Sequence, residues 1–227
     1  MYVNRKPIII DLYCGAGGAA MGYHQAGFEV VGVDIKPQPN YPFKFHQADA
    51  IEYFLQHYRE FDAAHASPPC QKFTSLNKLN VSRWKFQNDH PDLVDVTRQS
   101  LTHSGLPYII ENVQGSPLLG YVILRGAMFG LGVDRPRLFE SNILLLVKKA
   151  TRQGNVVGVY GKLDGRRVFG KPGGKISRAA RGLTEAREAM GIDWMDDGEI
   201  QLAIPPAYTR FIGEQLLRHI DRTLKSV

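Results

Sequence analysis

A cysteine directly behind two prolines is the residue in this chain best placed for covalent chemistry. The run Phe61-Asp62-Ala63-Ala64-His65-Ala66-Ser67 reads as a short, mostly apolar strand. Pro68 and Pro69 then end its ladder, since neither can donate a backbone hydrogen bond. Cys70 and Gln71 follow at once, which sets the thiol on a loop at the carboxyl edge of a sheet. Open α/β folds bind their ligands at that edge. A structural cysteine more often hides inside an apolar run, so the placement favours a nucleophile over a packed thiol. A second feature with chemical content is Asp11-Leu12-Tyr13-Cys14-Gly15-Ala16-Gly17-Gly18, a strand, a glycine-rich turn and the start of a helix. Gly15, Gly17 and Ala20 meet a GxGxxA pattern, and Asp34 stands nineteen residues after Gly15, at the end of the next strand. An acid there can accept hydrogen bonds from a ribose. The spacing alone leaves dinucleotides and S-adenosylmethionine equally open. Asp49, ending a third strand, offers a second polar clamp, and its plainer reading is a turn acid.

The elements that must position these groups alternate along the chain. Strands are expected at 8–12, 28–33, 45–48, 108–110 and 141–147, and helices at 18–26, 50–58, 92–102, 184–190 and 207–223. Pro205 and Pro206 suit the opening turn of the last helix. Such alternation predicts an α/β fold with a doubly wound, mostly parallel sheet. From Lys148 to Arg181 ten lysines or arginines face one acid, Asp164, amid many glycines, which reads as a small basic insert or a solvated loop. The expected division is a catalytic and cofactor-binding part at 1–147, an insert at 148–182, and a segment at 183–227 that returns to the first part.

Composition excludes several classes. The 227 residues suffice for one sizeable domain, and the hydrophobic and charged fractions of 44% and 22% are those of a globular protein. No run approaches the length of a membrane span. No long apolar stretch with a cleavage site opens the chain. Two cysteines make no disulfide framework and no CxxC pair suggests zinc, so an intracellular protein without a metal is expected. A net charge of +6 and a pI near 9.3 fit an anionic partner without proving one.

In the content and order of its motifs the chain resembles the DNA cytosine-5 methyltransferase family. The resemblance rests on Asp11 to Gly18, Pro68-Pro69-Cys70-Gln71, Glu111-Asn112-Val113, Arg135-Pro136-Arg137, the run from Arg181 to Thr184 with Glu188, Met190 and Gly191, and Ala203-Ile204-Pro205-Pro206. It implies a Rossmann-like S-adenosylmethionine-dependent fold and methyl transfer to carbon 5 of cytosine in DNA. It further implies Cys70 as nucleophile at carbon 6, Glu111 as acid at N3, and Arg135 and Arg137 beside the base, with Arg137 reaching the cytosine carbonyl. The two arginines alternate on an extended piece and so should point the same way. Cofactor contacts carried over are Asp11, Tyr13, Cys14, Gly15, Ala16, Gly17, Gly18, Asp34, Ile35, Asp49, Ala50, Pro68, Ala203 and Ile204. Substrate contacts are Ser67, Pro69, Gln71, Lys72, Asn112 and Val113. The target base must leave the duplex, and Lys72 to His90, with Lys78, Arg83, Trp84, Lys85 and Phe86, looks like a loop that closes over DNA.

The resemblance strains where the last motif carries Gln201 and Leu202 in place of a usual Gly-Asn pair. It strains also at the insert, which is short, and a short insert predicts a short or relaxed recognition site. An RNA-acting cytosine-5 methyltransferase is the near alternative, and a non-catalytic DNA-binding relative a more distant one. A nicotinamide dehydrogenase leaves the Cys and Glu motifs unexplained. A zinc deaminase would need a second cysteine where Phe73 stands. Double-stranded DNA is the expected partner, with a cognate restriction endonuclease as a second, for a monomer in the cytoplasm of a bacterial or phage-infected cell.

Overall fold

The computed structural model describes residues 5–69, 93–151, 156–166 and 176–225, apart from the side chains of Ile176, Ser177 and Leu224. Its elements run β1 (Ile8–Leu12), α1 (Gly18–Ala26), β2 (Glu29–Asp34), β3 (Lys44–Gln47), α2 (Ala50–His57), β4 (Ala63–Ala66), α3 (Leu93–Ser104), β5 (Tyr108–Asn112), β6 (Val122–Leu124), β7 (Arg137–Ser141), β8 (Val156–Gly158), β9 (Ile176–Ala179), α4 (Gly182–Met190), α5 (Asp197–Leu202) and α6 (Pro206–Lys225). Seven strands form one sheet in the order β3-β2-β1-β4-β5-β7-β6. The first five are parallel, and β7 runs antiparallel to both β5 and β6. The expected doubly wound, mostly parallel sheet is therefore present.

Both faces of this sheet are buried, so its central strands are mostly apolar and do not alternate regularly with polar residues. On one face Ile9, Ala63, Ile109 and Phe139 pack against Tyr23 of α1 and Tyr208, Ile212 and Leu216 of α6. On the other, Ile10, Leu12, Ala64, Ala66 and Ile110 meet Phe54 of α2 and Val94 and Leu101 of α3. Glu140 of β7 is buried in a bidentate pair with Arg98 of α3, at 2.6 and 2.8 Å, and fixes that helix to the antiparallel edge. The connections from β1 lead outward to β2 and β3, while β4 and β5 lie on its other side. The order thus reverses between β1 and β4, and a crevice opens beyond their carboxyl ends.

One expectation needs correction. The apolar run 141–147 is not a strand: β7 ends at Ser141, and Asn142 turns the chain by bonding Tyr108 N and Leu106 O. Beyond that turn Leu144 is 86% exposed while Leu145 is buried. The basic region is also more than a solvated loop. β8 and β9 pair in parallel. Val157, Val159 and Ala180 then form a third core with Ala186, Ala189 and Met190 of α4 and with Ala16 of the glycine turn. The strands β6, β8 and β9 and the helix α5 were not foreseen from the sequence, being three to six residues long.

Helices α1 and α6 approach so closely that Gly22 has no room for a side chain. A Cβ there would lie 2.0 Å from Thr209 Oγ1, 2.2 Å from Pro206 O and 2.6 Å from Arg210 N. Two of those atoms are backbone and cannot rotate away. Gly22→Ala is therefore expected to lower stability by about 2 to 3 kcal/mol, read as a shift of the denaturant midpoint at unchanged slope.

Candidate active site

Residues at the carboxyl ends of β1, β2, β4 and β5 make the site. β1 leads into a turn whose backbone only glycine tolerates easily: Gly15 and Gly17 have φ of +49° and +84°, and Tyr13 joins them at +57°. Asp34, ending β2, holds that turn. Its Oδ2 accepts from Gly15 N at 3.1 Å and its Oδ1 from Lys36 N at 3.0 Å. From the far end of the chain Ile204 closes against the turn, with its carbonyl oxygen 2.5 Å from where a Cβ on Gly18 would stand. Ala203 lies beside the same glycine. The last motif therefore meets the first across nearly the whole sequence, as the resemblance implies.

This cradle suits a nucleoside-bearing ligand. The space over Gly15 is empty of protein within 4 Å, so a ligand can approach its backbone. Ile35, directly after Asp34, is 66% exposed and offers an apolar surface at the crevice. Other predicted contacts also have structural work. Asp49 Oδ1 caps α2 through Ile51 N and Glu52 N, both at 3.0 Å, and Ala50 is buried in the core. Tyr13 bonds Thr97 of α3. Ala16 is buried and its carbonyl accepts from Trp194 Nε1 at 2.8 Å. Cys14 is buried, and its thiol is pushed up strongly by that burial, with Asp11 and Asp34 adding to it.

Asp11 departs furthest from expectation. Its carboxyl group is 0% exposed, beneath the turn, so it can serve a ligand only through the backbone it underlies. Both oxygens lack a hydrogen-bond partner among the described residues; the Ala20 amide faces them without closing a bond. Burial, then the charge of Asp34, pushes its pKa well above the usual carboxylate range.

Glu111, near the end of β5, is buried at 6% exposure. Burial raises its pKa, against the opposing pull of Arg137, a hydrogen bond from Ser67, and Arg135. Arg137 Nε lies 2.9 Å from Glu111 Oε1. The N–H is not aimed at that oxygen, which keeps no hydrogen bond among the described residues. Asn112 Nδ2 donates to Pro68 O at 3.0 Å and its Oδ1 accepts from Val113 N at 2.8 Å, so the Glu-Asn-Val strand end is tied to the Pro-Pro strand end. Pro69 is exposed at the mouth. Cys70, Gln71 and Lys72 lie outside the described residues, as does the loop through His90.

The arginine pair does not point one way. Arg135 has φ of +29°, and this left-handed backbone breaks the alternation that an extended strand would give. Its guanidinium turns inward to three carbonyls: Ala203 at 2.8 Å, Gln201 at 2.5 Å and Val159 at 3.2 Å. Arg135 therefore clamps the last motif to β8's exit, and only Arg137 faces Glu111. Two residues that the sequence reading passed over belong to the site. His65 of β4 is fully buried between Tyr23 Oη, 2.9 Å from Nδ1, and Ser67 Oγ, 3.0 Å from Nε2. A histidine inside an otherwise alanine strand was the available signal.

No known protein-family profile matches the chain. Among curated proteins it is similar to the type II methyltransferase M.XorII of Xanthomonas oryzae pv. oryzae, 26% identical over 77% of this chain and 47% of that protein. It is also similar to the type II methyltransferase M.AgeI of Thalassovita gelatinovora, 26% identical over 70% of this chain and 40% of that protein. The chain thus spans less than half the length of these relatives. Among solved structures, the Dnmt2 methyltransferase of S. pombe superposes with a TM-score of 0.61 at 14% identity, over 95% of this chain and 99% of that one. These relatives bear out the methyltransferase resemblance read from the motifs, and the fold is the Rossmann-like one of S-adenosylmethionine-dependent methyltransferases.

Two stability measurements test this geometry. Arg135→Met strands three inward carbonyls and should cost about 3 kcal/mol; Arg137→Met, which strands only that of Pro136, should cost clearly less in the same denaturation assay. His65 is held neutral by burial, its pKa pulled down to about 3. A base with a depressed folded pKa stabilises fully above its unfolded value and loses that contribution as the pH falls. Between pH 6.5 and about 3 the wild type should lose about 1.4 kcal/mol per pH unit relative to His65→Gln.

Proposed function

We propose that this protein transfers a methyl group from S-adenosylmethionine to carbon 5 of cytosine in double-stranded DNA. The observation that carries the reading is Glu111: a carboxyl group buried at the carboxyl edge, its pKa raised by that burial, with Oε1 free of hydrogen bonds among the described residues and Arg137 alongside. Carbon 5 of cytosine is a weak nucleophile. Addition of the Cys70 thiolate to carbon 6 places electron density on carbon 5, the usual logic of covalent catalysis. Negative charge then builds at N3, where a protonated Glu111 donates its proton. Arg137 holds the carboxyl group in place and faces the base's carbonyl side. Once carbon 5 carries the methyl group, return of the N3 proton to Glu111, loss of the carbon 5 proton to solvent water and expulsion of the thiolate restore the aromatic ring and free Cys70.

The cofactor that this fold implies supplies an electrophilic methyl group on sulfur. The residues suited to hold it are the turn from Tyr13 to Gly18, Asp34, Ile35, and the Ala203-Ile204 edge. Its adenosine would lie over the open backbone of Gly15 and against Ile35. The exposed Lys148, Lys149, Lys162 and Arg166 offer phosphate contacts on the side of the small β8–β9 unit. The base reaches Cys70 by leaving the stack. In this reading the chain acts as a monomer on a short site, in the cytoplasm of a bacterial or phage-infected cell, in company with a restriction endonuclease.

Incubation with S-adenosylmethionine and duplex DNA, then digestion to nucleosides and mass spectrometry, should give 5-methylcytosine. Cys70→Ser should abolish it, and Glu111→Gln should lower kcat by about 10²- to 10⁴-fold. Because the acid form of Glu111 is required and its pKa is raised, kcat should fall on the alkaline side. Product on tRNA alone would move the assignment to the RNA-acting alternative, and product on neither would end the reading.

A further inference from the structure

We propose that His65 is a positioning residue for Glu111, acting through Ser67 as one end of a directed chain of hydrogen bonds that starts at Tyr23. The inference deepens the proposed function, since it rests on Glu111 being the acid at the base.

Hydrogen-bond accounting gives the chain its direction. Tyr23 Oη is fully buried and bonds only His65 Nδ1 among the described residues, at 2.9 Å. Asp11 could have been a second acceptor, but its oxygens are unbonded. The phenol hydrogen has no other acceptor among the described residues, so Tyr23 donates and Nδ1 accepts. In a neutral imidazole the proton must then sit on Nε2. Nε2 donates to Ser67 Oγ, 3.0 Å away. With its oxygen so occupied, the Ser67 hydroxyl is free to donate onward, and the register that pairs Ala66 with Ile110 sets Ser67 beside Glu111, whose carboxyl group is its acceptor in the proposed chain. One orientation satisfies every group from Tyr23 to Ser67.

The topology allows this because β4 lies between the two functional strands. His65 is registered with Asp11 on β1 and with Ile109 on β5, so His65, Asp11 and Glu111 project from the same face of the sheet. Tyr23 reaches down from α1 with its ring centroid 5.2 Å from the imidazole. The titratable and charged groups around the chain are Asp11 from β1 with Asp34 of β2 behind it, Tyr23 from α1, Glu111 from β5, and Arg137 and Arg135 from the β7 side. Asp11, Tyr23 and Glu111 share the face of His65 without giving it a counter-ion in contact among the described residues, and the imidazole stays neutral. The chain therefore carries orientation and no net charge. It holds Ser67 against one side of Glu111, while Arg137 holds the other and Oε1 keeps no hydrogen bond.

The test uses the full chain with ¹³C-labelled glutamate carboxyls and ¹⁵N-labelled histidine, the Glu111 resonance being assigned by Glu111→Gln. His65 should show the neutral Nε2–H tautomer from pH 8 to pH 5. Loss of the Ser67 donor should move the Glu111 titration upward by about one pH unit in Ser67→Ala. His65→Leu should reproduce that shift, the double variant should add nothing, and His65→Gln, which keeps a donor near Nε2, should stay near wild type. In the DNA assay His65→Leu should lower kcat about tenfold with KM for DNA unchanged. An Nδ1–H tautomer overturns the proposal. So does an unshifted Glu111 titration in folded His65→Leu or Ser67→Ala, whatever happens to the rate. Should His65→Leu not fold, Ser67→Ala and the tautomer still decide. Should the wild type make no 5-methylcytosine, the functional reading fails while the titration still decides the hydrogen-bonded chain.

Discussion

Everything at this site depends on polar groups being held inside a sheet that is buried on both faces. Asp11, His65 and Glu111 stand on neighbouring strands under α1, each almost wholly out of water. Three charged side chains could not be kept there, since an unpaired buried ion costs several kcal/mol even after relaxation. Burial pushes each toward its neutral form: it raises both acids and lowers the histidine. The same desolvation that makes these residues costly to bury raises the Glu111 pKa, the direction that proton donation to a base requires. Stability and chemistry here have one cause.

A second constraint is closeness. The glycine turn is clamped on one side by Asp34 and on the other by Ile204, and α1 meets α6 at a glycine. Arg135 then holds the Gln201 to Ala203 carbonyls from behind, at the stretch where the closing motif departs from its usual Gly-Asn. The departure leaves Leu202 exposed but keeps the backbone path, because the clamp grips carbonyls and not side chains. The motif can vary in sequence while its main chain still seals the turn.

How much of this was legible beforehand follows from the range of each interaction. The parallel sheet, the glycine turn with Asp34, and the Pro-Pro strand end were readable because apolar runs, glycines and prolines act locally. The strand expected at 141–147 failed because Asn142 folds back to β5 through contacts more than thirty residues away. Arg135 failed for a kindred reason. Alternation assumes extended backbone, and its φ of +29° is set by carbonyls near 160 and 200. His65 was passed over because a histidine within an alanine strand reads as a packed core residue until its two partners are seen.

The division of labour between the arginines bears on how so small a chain could handle a base. In a site where two cations faced one carboxyl group, Glu111 would be driven toward the ionised form, since a nearby opposite charge favours the charged state. Arg135 is withdrawn to backbone carbonyls, which leaves one arginine in contact with Glu111 and lets burial prevail. One arginine suffices to orient a carboxyl group by an ion-pair contact. A second in contact would pull the Glu111 pKa further down, so the inward turn at Arg135 serves the acid as well as the fold.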